Sequence, residues 1–395
     1  MSNTGARYAQ ASLFTRPFVL LCVAMFLGYA NQWVITPVIP LYVDDLGGSA
    51  FLAGLARLAF SVPSFGVRPF VGRLADRWNA AGVLAIGLIL LTLGSFIFLV
   101  PLIATVFVGG IVRGLGWAGL NTGGYTTLAT AAPDRRRGEA AGYYTGATAC
   151  ASIIFPALGL ALLDGRGGFW LVFLLSAVMA LLGLPIALSL ARSTASVNVV
   201  AKGQTSGFTG LIAPGVLLAT GLNLCSTLAM PSVMAFLPLY ARSLGIENIG
   251  LFYVFAGVTS IVARPLLGKR SDAMGRGPAI GLGLGAQCIG FVLIAIAASL
   301  PLILAGGIFV ALGSALIGST STALAMDLAD PRSRGQGMAT FSVSFQIGAG
   351  VGSIIAGALA DLAGLRSMYF GSIAITLAGL VLLAAAWKSL PQPVR

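Results

Sequence analysis

The chain has 395 residues, of which 57% are hydrophobic and 9% charged, and its net charge at pH 7 is +12. Soluble domains carry about 25% charged residues, so this composition excludes an ordinary soluble domain and indicates a membrane protein. The chain contains no histidine, which excludes imidazole-based catalysis, metal binding and proton relay. Its four cysteines all fall in apolar runs, and their spacing predicts neither a disulfide framework nor a metal site.

Twelve apolar runs follow a polar N-terminal tail, and each is about long enough to cross a bilayer as a helix. The first six lie near 17–42, 50–70, 81–100, 103–130, 139–163 and 169–191. The second six lie near 211–241, 248–267, 278–299, 301–326, 337–360 and 367–387. The sequence therefore predicts an all-α membrane protein with twelve transmembrane helices in two pseudo-symmetric bundles. We expect an N-terminal six-helix bundle at 1–191, a Ser/Thr/Gly-rich cytoplasmic linker at 192–210 and a C-terminal six-helix bundle at 211–395.

The loop charges predict the orientation of these spans. With the N-terminus in the cytoplasm, Arg166, Arg242 and Arg366 are the basic residues on the outer side, and Arg57 and Arg113 lie within spans. The remaining lysines and arginines all fall on the cytoplasmic side, in agreement with the positive-inside rule. This distribution predicts cytoplasmic N- and C-termini, and it accounts for the net charge without nucleic-acid binding.

A short motif occurs once in each half of the chain. The segment 68–76 (RPFVGRLAD) returns at 264–272 (RPLLGKRSD), and we expect both copies in charged loops. Asp164 likewise has a counterpart in Asp361. Parallel repeats of this kind occur in transporters whose substrate path lies between two halves related by an axis along the membrane normal.

These residues resemble the major facilitator superfamily, and the resemblance extends over essentially the whole chain. The loop signature of the family is similar to Gly72-Arg73-Leu74-Ala75-Asp76-Arg77, and the second copy keeps Gly268 and Asp272. Three further segments, 37–40 (PVIP), 113–119 (RGLGWAG) and 142–159, resemble motifs of the twelve-span drug:proton antiporters, although Phe155 and Leu160 replace glycines of the last motif. The resemblance implies alternating access between two rocking halves.

The resemblance also implies a cytoplasmic latch in each half. Gly72 and Gly268 would permit close helix approach, and Asp76 and Asp272 would face the N-terminus of a helix in the opposite half. The associated charge relay would consist of Arg73, Arg77 and Glu139 in the first half and of Lys269, Arg270 and Asp327 in the second.

Arg57 and Arg113 are ionisable residues within predicted spans, which makes them candidates for substrate binding. No carboxylate accompanies them in the middle of a span, so the cavity should favour anionic or zwitterionic substrates over lipophilic cations. Two alternatives stay open. Arg113 could be a structural arginine bonded to span carbonyls, and Arg57 could extend its side chain to the outer surface.

Polar residues in the spans supply the other candidates for the cavity lining. Each could equally make a hydrogen bond that only packs two helices together. The candidates are Asn31, Gln32, Asn223, Tyr253 and Gln346.

The sequence therefore predicts a secondary transporter in the inner membrane, and not an enzyme. We expect a monomeric, proton-coupled exporter of small organic molecules, whose partners are the substrate, protons and the lipid bilayer and which uses no cofactor. An importer or exchanger of organic anions and a flippase for lipid-like substrates are the alternatives. Without a mid-span acid, proton coupling could use Glu139, Asp164, Asp327 or Asp361, or the ionisation of the substrate itself.

Overall fold

The computed structural model describes residues 14–131, 136–165, 167–194, 213–330 and 334–390, and α-helices make up most of them. The helices of the N-terminal half are α1 (Arg16–Ile35), α2 (Ile39–Asp45), α3 (Ala50–Gly66), α4 (Arg68–Arg77), α5 (Ala80–Ile97), α6 (Ile103–Ala131), α7 (Arg137–Asp164) and α8 (Gly168–Thr194). Those of the C-terminal half are α9 (Leu217–Ala229), α10 (Pro231–Met234), α11 (Leu237–Ser243), α12 (Gly250–Met274), α13 (Arg276–Ala295), α14 (Leu300–Leu328), α15 (Arg334–Ala363) and α16 (Ser367–Ala385). The predicted linker at 192–210 begins within α8, and its residues from 195 onward lie outside the described ranges.

Within these ranges, ten segments are long and apolar enough to cross a membrane, and the bent pair α3–α4 makes an eleventh. The remaining predicted span is α12, whose described apolar part is the shorter segment Gly250–Ala263. The count is therefore consistent with twelve spans. Large apolar side chains such as Val381 and Leu282, 69% and 57% exposed, cover the outside of the helices, as a lipid-facing surface requires.

The helices of the first and seventh spans are interrupted near one end. An equivalent tyrosine hydrogen bond lies beside each interruption. The break between α1 and α2 is followed by Pro40, and Pro238 stands at the start of α11, where a missing backbone N–H is tolerated. The hydroxyl of Tyr42 donates to the carbonyl oxygen of Phe98 at 2.9 Å, and that of Tyr240 donates to Ala295 at 3.3 Å. The repeat therefore extends to tertiary contacts.

The prediction that both copies of the repeated motif lie in loops is wrong, because both are helical. The first copy begins α4, which is bent by 42° from α3, and the second lies in the last turns of α12. Pro69 occupies the first turn of α4, where proline is compatible with a helix. The charged motif thus continues each span as a helix.

The two halves are packed together at one end of the molecule, which we call the closed end. Here α3 packs on α15 and α7 packs on α12. A methyl group added to Gly54 would collide with the carbonyl oxygen of Ser353, and one added to Gly250 would lie 3.4 Å from Cα of Ala157. At the opposite end, which we call the open end, a methyl group added to Gly72 would meet no atom within 4 Å.

Candidate substrate cavity and gates

Arg113, on α6, is held by a polar network inside the N-terminal half. Its guanidinium donates to Gln32 Oε1 at 2.9 Å, to the Asn31 carbonyl oxygen at 3.2 Å and to Ser95 Oγ at 2.5 Å. Ser176 Oγ, on α8, bridges the network by donating to the Asn31 carbonyl oxygen at 2.9 Å. Arg113 is only 2% exposed, so these bonds satisfy a charge that would otherwise be costly to bury.

Arg57, on α3, has different surroundings. Its guanidinium carbon lies 4.9 Å from the centre of the Phe60 ring, which is a favourable cation–π distance. Among the residues that the structure describes, it has no hydrogen-bond acceptor and no carboxylate partner. The donors of this guanidinium are therefore available to an anion.

Both arginines line one cavity of about 40 Å³, which we call the arginine cavity. Gln32 lies on its wall, and Ala235 and Phe236 of the other half complete it. A space of this size admits a carboxylate-sized group or water, but not a ring. The described carboxylates lie at or near helix ends or in the segments between helices, as at Asp44, Asp164, Glu247, Asp327 and Asp361, so the cavity is positively charged.

The other predicted lining residues fall in different places. Asn31, on α1, is fully buried and donates to Ser176 Oγ at 2.8 Å, while Asn223 donates to Ser344 Oγ at 2.8 Å. Both amides therefore join helices within one half. Tyr253 lines a second cavity between the halves, described below, and Gln346 is half-buried on α15 and lines neither of the two.

Sequence reasoning identified Asp361 as a repeated residue but missed its role at the closed end. Its two carboxylate oxygens accept hydrogen bonds from the backbone N–H groups of Ala50 and Phe51, each at 2.9 Å. Ser49 Oγ accepts from the N–H of Leu52 at 3.3 Å. These bonds satisfy the first turn of α3 and place a negative charge at its positive end. An aspartate of the second half thus caps a helix of the first.

The charge relays predicted around the latch motifs differ from the observed pairs. Glu139 forms an ion pair with Arg136, three residues earlier, at 2.8 Å, and these hydrogen bonds raise the pKa of Arg136 above its ordinary value. Asp327 pairs with Arg276 at 2.9 Å. Glu139 therefore pairs with Arg136 and not with the predicted Arg73 or Arg77 in this conformation. The side chains of Lys269 and Arg270, the predicted partners of Asp327, lie outside the described residues.

The latch motif of the first half is exposed at the open end. Among the described residues, Arg73, Asp76 and Arg77 make no ion pair, and the close helix approach predicted at Gly72 is absent. The reason is that the halves are apart at this end. The side chains of Gly268, Lys269, Arg270 and Asp272 in the second copy lie outside what the structure describes.

Ser95 and Ser176 complete the arginine network, and sequence reasoning did not select them. Each is a single hydroxyl in a long apolar run, in α5 and α8 respectively, and that position was the one available signal. Such hydroxyls usually bond to their own helix, as Ser95 does to the Leu91 carbonyl oxygen at 2.8 Å. Their shared partner, Arg113, can be recognised only from the packing of α5, α6 and α8.

Comparison with known proteins places this architecture among membrane transporters. The profile of the Major Facilitator Superfamily matches residues 21–269 and 221–395. Multidrug resistance protein 1 of Bacillus subtilis (strain 168) is 25% identical over 226 residues, which cover 56% of this chain and 57% of that protein. The Staphylopine export protein of Staphylococcus aureus (strain Mu50 / ATCC 700699) is 22% identical over 389 residues, covering 95% and 97%.

Among solved structures, a bacterial homologue of the human lysosomal transporter Spinster has the same fold. Its crystal structure, in an inward-facing and unoccupied conformation, has a TM-score of 0.77 and 15% sequence identity. The superposition covers 98% of this chain and 100% of the homologue.

Proposed function

Because this chain belongs to the major facilitator superfamily, and is therefore a membrane transporter rather than an enzyme, we propose that it exports small organic anions or zwitterions. The observation that carries the substrate class is the guanidinium of Arg57, which lines the arginine cavity and has no acceptor among the described residues. An anion bound there would supply the missing hydrogen bonds. Arg113 adds positive potential and orients Gln32, which accepts from it at 2.9 Å.

The direction of transport rests on the predicted orientation and on the relatives. The basic loops would place the open end in the cytoplasm, so the structure would correspond to the loading state of an exporter. The names of the Bacillus and Staphylococcus relatives, which refer to drug resistance and export, support the same direction. In the cell this orientation would give an inner-membrane protein with both termini in the cytoplasm.

Coupling to protons is the second part of the proposal. The described spans hold no carboxylate at mid-depth, so a proton would bind at a helix end. Asp164 and Asp361 are the candidates at the closed end, where a change of charge would act directly on the contacts between halves. Protonation at low external pH would then favour release of the substrate outside.

Flux in proteoliposomes tests the proposal. Benzenesulfonate, which stays ionised at every pH used, serves as the anion, and tetraphenylphosphonium serves as the lipophilic cation. We expect saturable benzenesulfonate flux that accelerates when the lumen, on the side of the closed end, is made acidic. Arg57→Gln should lower this flux about tenfold or more, because one charge-assisted hydrogen bond contributes about 1.5–3 kcal/mol. Arg57→Lys should retain part of it.

Each arm of this experiment can fail independently. Tetraphenylphosphonium flux that exceeds benzenesulfonate flux, and that survives Arg57→Gln, would refute the anion class. Anion flux that does not change with the pH gradient would refute proton coupling and would favour an exchanger. Leu282→Ala, an exposed change on the lipid-facing surface, serves as a control for expression and reconstitution.

A further inference from the structure

A second cavity lies between the two halves, apart from the arginine cavity. Its volume is about 130 Å³, and none of its lining residues is charged. Aromatic rings, methionines and small hydroxyls dominate the wall, which includes Trp33, Ser152, Met230, Met234, Tyr253 and Ser314. We call it the aromatic–methionine cavity.

The volumes of the two cavities decide what each can hold. An apolar cavity of about 150 Å³ in a protein core is known to accept a benzene molecule. The aromatic–methionine cavity, at about 130 Å³, therefore suits about one six-membered ring. The arginine cavity, at about 40 Å³, suits only the charged group of such a molecule.

The wall chemistry of the second cavity favours an uncharged ring. Methionine side chains are flexible and polarisable, and they make favourable contacts with aromatic rings. The hydroxyl of Tyr253 donates to the Met234 carbonyl oxygen at 3.1 Å, so the tyrosine presents its ring rather than a free donor. The indole N–H of Trp33 is buried without an acceptor among the described residues. An occupant with a ring acceptor could satisfy it.

The two cavities adjoin along the same two segments. Gln32 and Trp33 are successive residues of α1, and the first lines the arginine cavity while the second lines the aromatic–methionine cavity. Met234, the last residue of α10, lines the aromatic–methionine cavity, and Ala235, which follows it, lines the arginine cavity. The two cavities therefore border the same two chain segments, one from each half.

We propose that the transported molecule is a ring-bearing organic anion, with its charged group at Arg57 and a single uncharged ring in the aromatic–methionine cavity. The inference rests on the proposed function, because it takes the anion site as given and assigns the rest of the molecule. It divides recognition between the halves: the N-terminal half binds charge, and the C-terminal half provides most of the surface that buries the ring.

Equilibrium binding to the purified full-length protein in nanodiscs tests this assignment. The probes are methanesulfonate, benzenesulfonate, biphenyl-4-sulfonate and the neutral benzenesulfonamide. Burial of the ring should make benzenesulfonate bind about tenfold or more tightly than methanesulfonate. Biphenyl-4-sulfonate should bind less tightly than benzenesulfonate, because its second ring exceeds the cavity, and benzenesulfonamide should bind weakly because it lacks the charge.

A cavity-filling variant provides the matched comparison. Ser314→Phe places a ring inside the aromatic–methionine cavity, and Ser319→Phe makes the same change at an exposed position on the same helix. Ser314→Phe should reduce benzenesulfonate affinity to that of methanesulfonate while leaving methanesulfonate unchanged. Ser319→Phe should change neither.

The outcomes separate this inference from the proposed function. If neither sulfonate binds, the anion class itself is wrong, and this inference falls with it. If both sulfonates bind with equal affinity, or if Ser314→Phe weakens them equally, the anion site stands and the ring assignment is overturned. The comparison of probes on the unmodified protein decides the question even if Ser314→Phe does not fold.

Discussion

Two arginines of the N-terminal half carry the same charge in the same cavity, yet their surroundings give them different roles. Arg113 donates to side chains and carbonyl oxygens of α1 and α5, so its charge is part of the packing. Arg57 has a ring beside it and no acceptor among the described residues. A residue whose hydrogen bonds are satisfied by the fold contributes to stability, and one whose bonds are open contributes to binding.

Substitution of each arginine by glutamine should separate these roles. Arg113→Gln should cost about 2–3 kcal/mol of stability, because it removes charge-assisted hydrogen bonds and leaves buried acceptors unpaired. Arg57→Gln should leave stability nearly unchanged and weaken anion binding about tenfold or more. Thermal unfolding of the two purified variants, followed in parallel with benzenesulfonate binding, measures both effects. Equal losses of melting temperature would contradict the division.

The sequence was sufficient to select these arginines but not to distinguish them. A charged residue within an apolar run can be recognised from the sequence alone, because charged residues are rare within membrane spans. The partners of Arg113 come from α1, α5 and α8, and each is an ordinary polar residue in its own segment. Only the three-dimensional arrangement shows that the Arg113 guanidinium bonds to three other helices, whereas the Arg57 guanidinium has no acceptor in the part of the chain that the structure describes.

At the scale of helices, the closed end depends on a cap supplied across the interface between halves. Asp361→Ala would leave the N–H groups of Ala50 and Phe51 without acceptors and remove a favourable charge from the start of α3. Caps and helix-dipole interactions each contribute about 1 kcal/mol, so the closed-end state should lose about 1–2 kcal/mol. Its population relative to the opposite state should fall about tenfold.

Spin-label distances across the closed end measure this shift. Labels at Asp45 on α2 and Ser243 on α11, both exposed at that end, should report a larger fraction of long distances in Asp361→Ala. Asp361→Asn, which keeps an acceptor but not the charge, should fall between. Asp330→Ala, at the opposite end of the molecule, provides the control. An unchanged distribution in Asp361→Ala would show that the cap does not control the gate.

Close backbone contact between α3 and α15 is the second element of the gate. A methyl group at position 54 would collide with the carbonyl oxygen of Ser353, whereas one at Gly66, at the other end of α3, would meet no atom within 4 Å. Gly54→Ala should therefore destabilise the closed end by about 1–3 kcal/mol, and Gly66→Ala should not. Labelling of cysteines placed beneath the closed end, with a reagent added on that side, should accelerate in Gly54→Ala alone.

The motifs of the two ends differ in how well sequence reasoning predicted them. Hydropathy located the spans because a bilayer requires long apolar helices, and the duplicated motif predicted two related halves. The same motif was assigned to loops, because its charges resemble those of a turn, yet α4 shows that a charged helix can extend beyond a span. The pairing of Asp361 with α3 was not predictable, since backbone N–H groups have no signature in sequence.

At the scale of the whole molecule, the alternating access that the family resemblance implies would require the halves to separate at the closed end and to meet at the open end. The resemblance to the major facilitator superfamily, inferred from short motifs, is confirmed by a profile match to both halves. The exposed latch residues Asp76 and Arg73 at the open end are then candidates for contacts that form only in the opposite state. A population shift between the two states would move the substrate without any covalent step.

A reversible covalent lock at the closed end tests whether this exchange is obligatory. A Cβ atom on Gly250 would lie 3.4 Å from Cα of Ala157, so Ala157→Cys with Gly250→Cys is the pair to test for a disulfide, which needs Cβ atoms about 3.5–4.5 Å apart. The four native cysteines would first be replaced. The oxidised protein should bind benzenesulfonate normally, because the crosslink fixes the conformation seen in this structure, but it should not transport it. Reduction should restore the flux, and each single-cysteine variant should be insensitive to oxidant.

Undiminished transport by the crosslinked protein would mean that α7 and α12 need not separate, and that the substrate leaves by a path other than the one between the two halves.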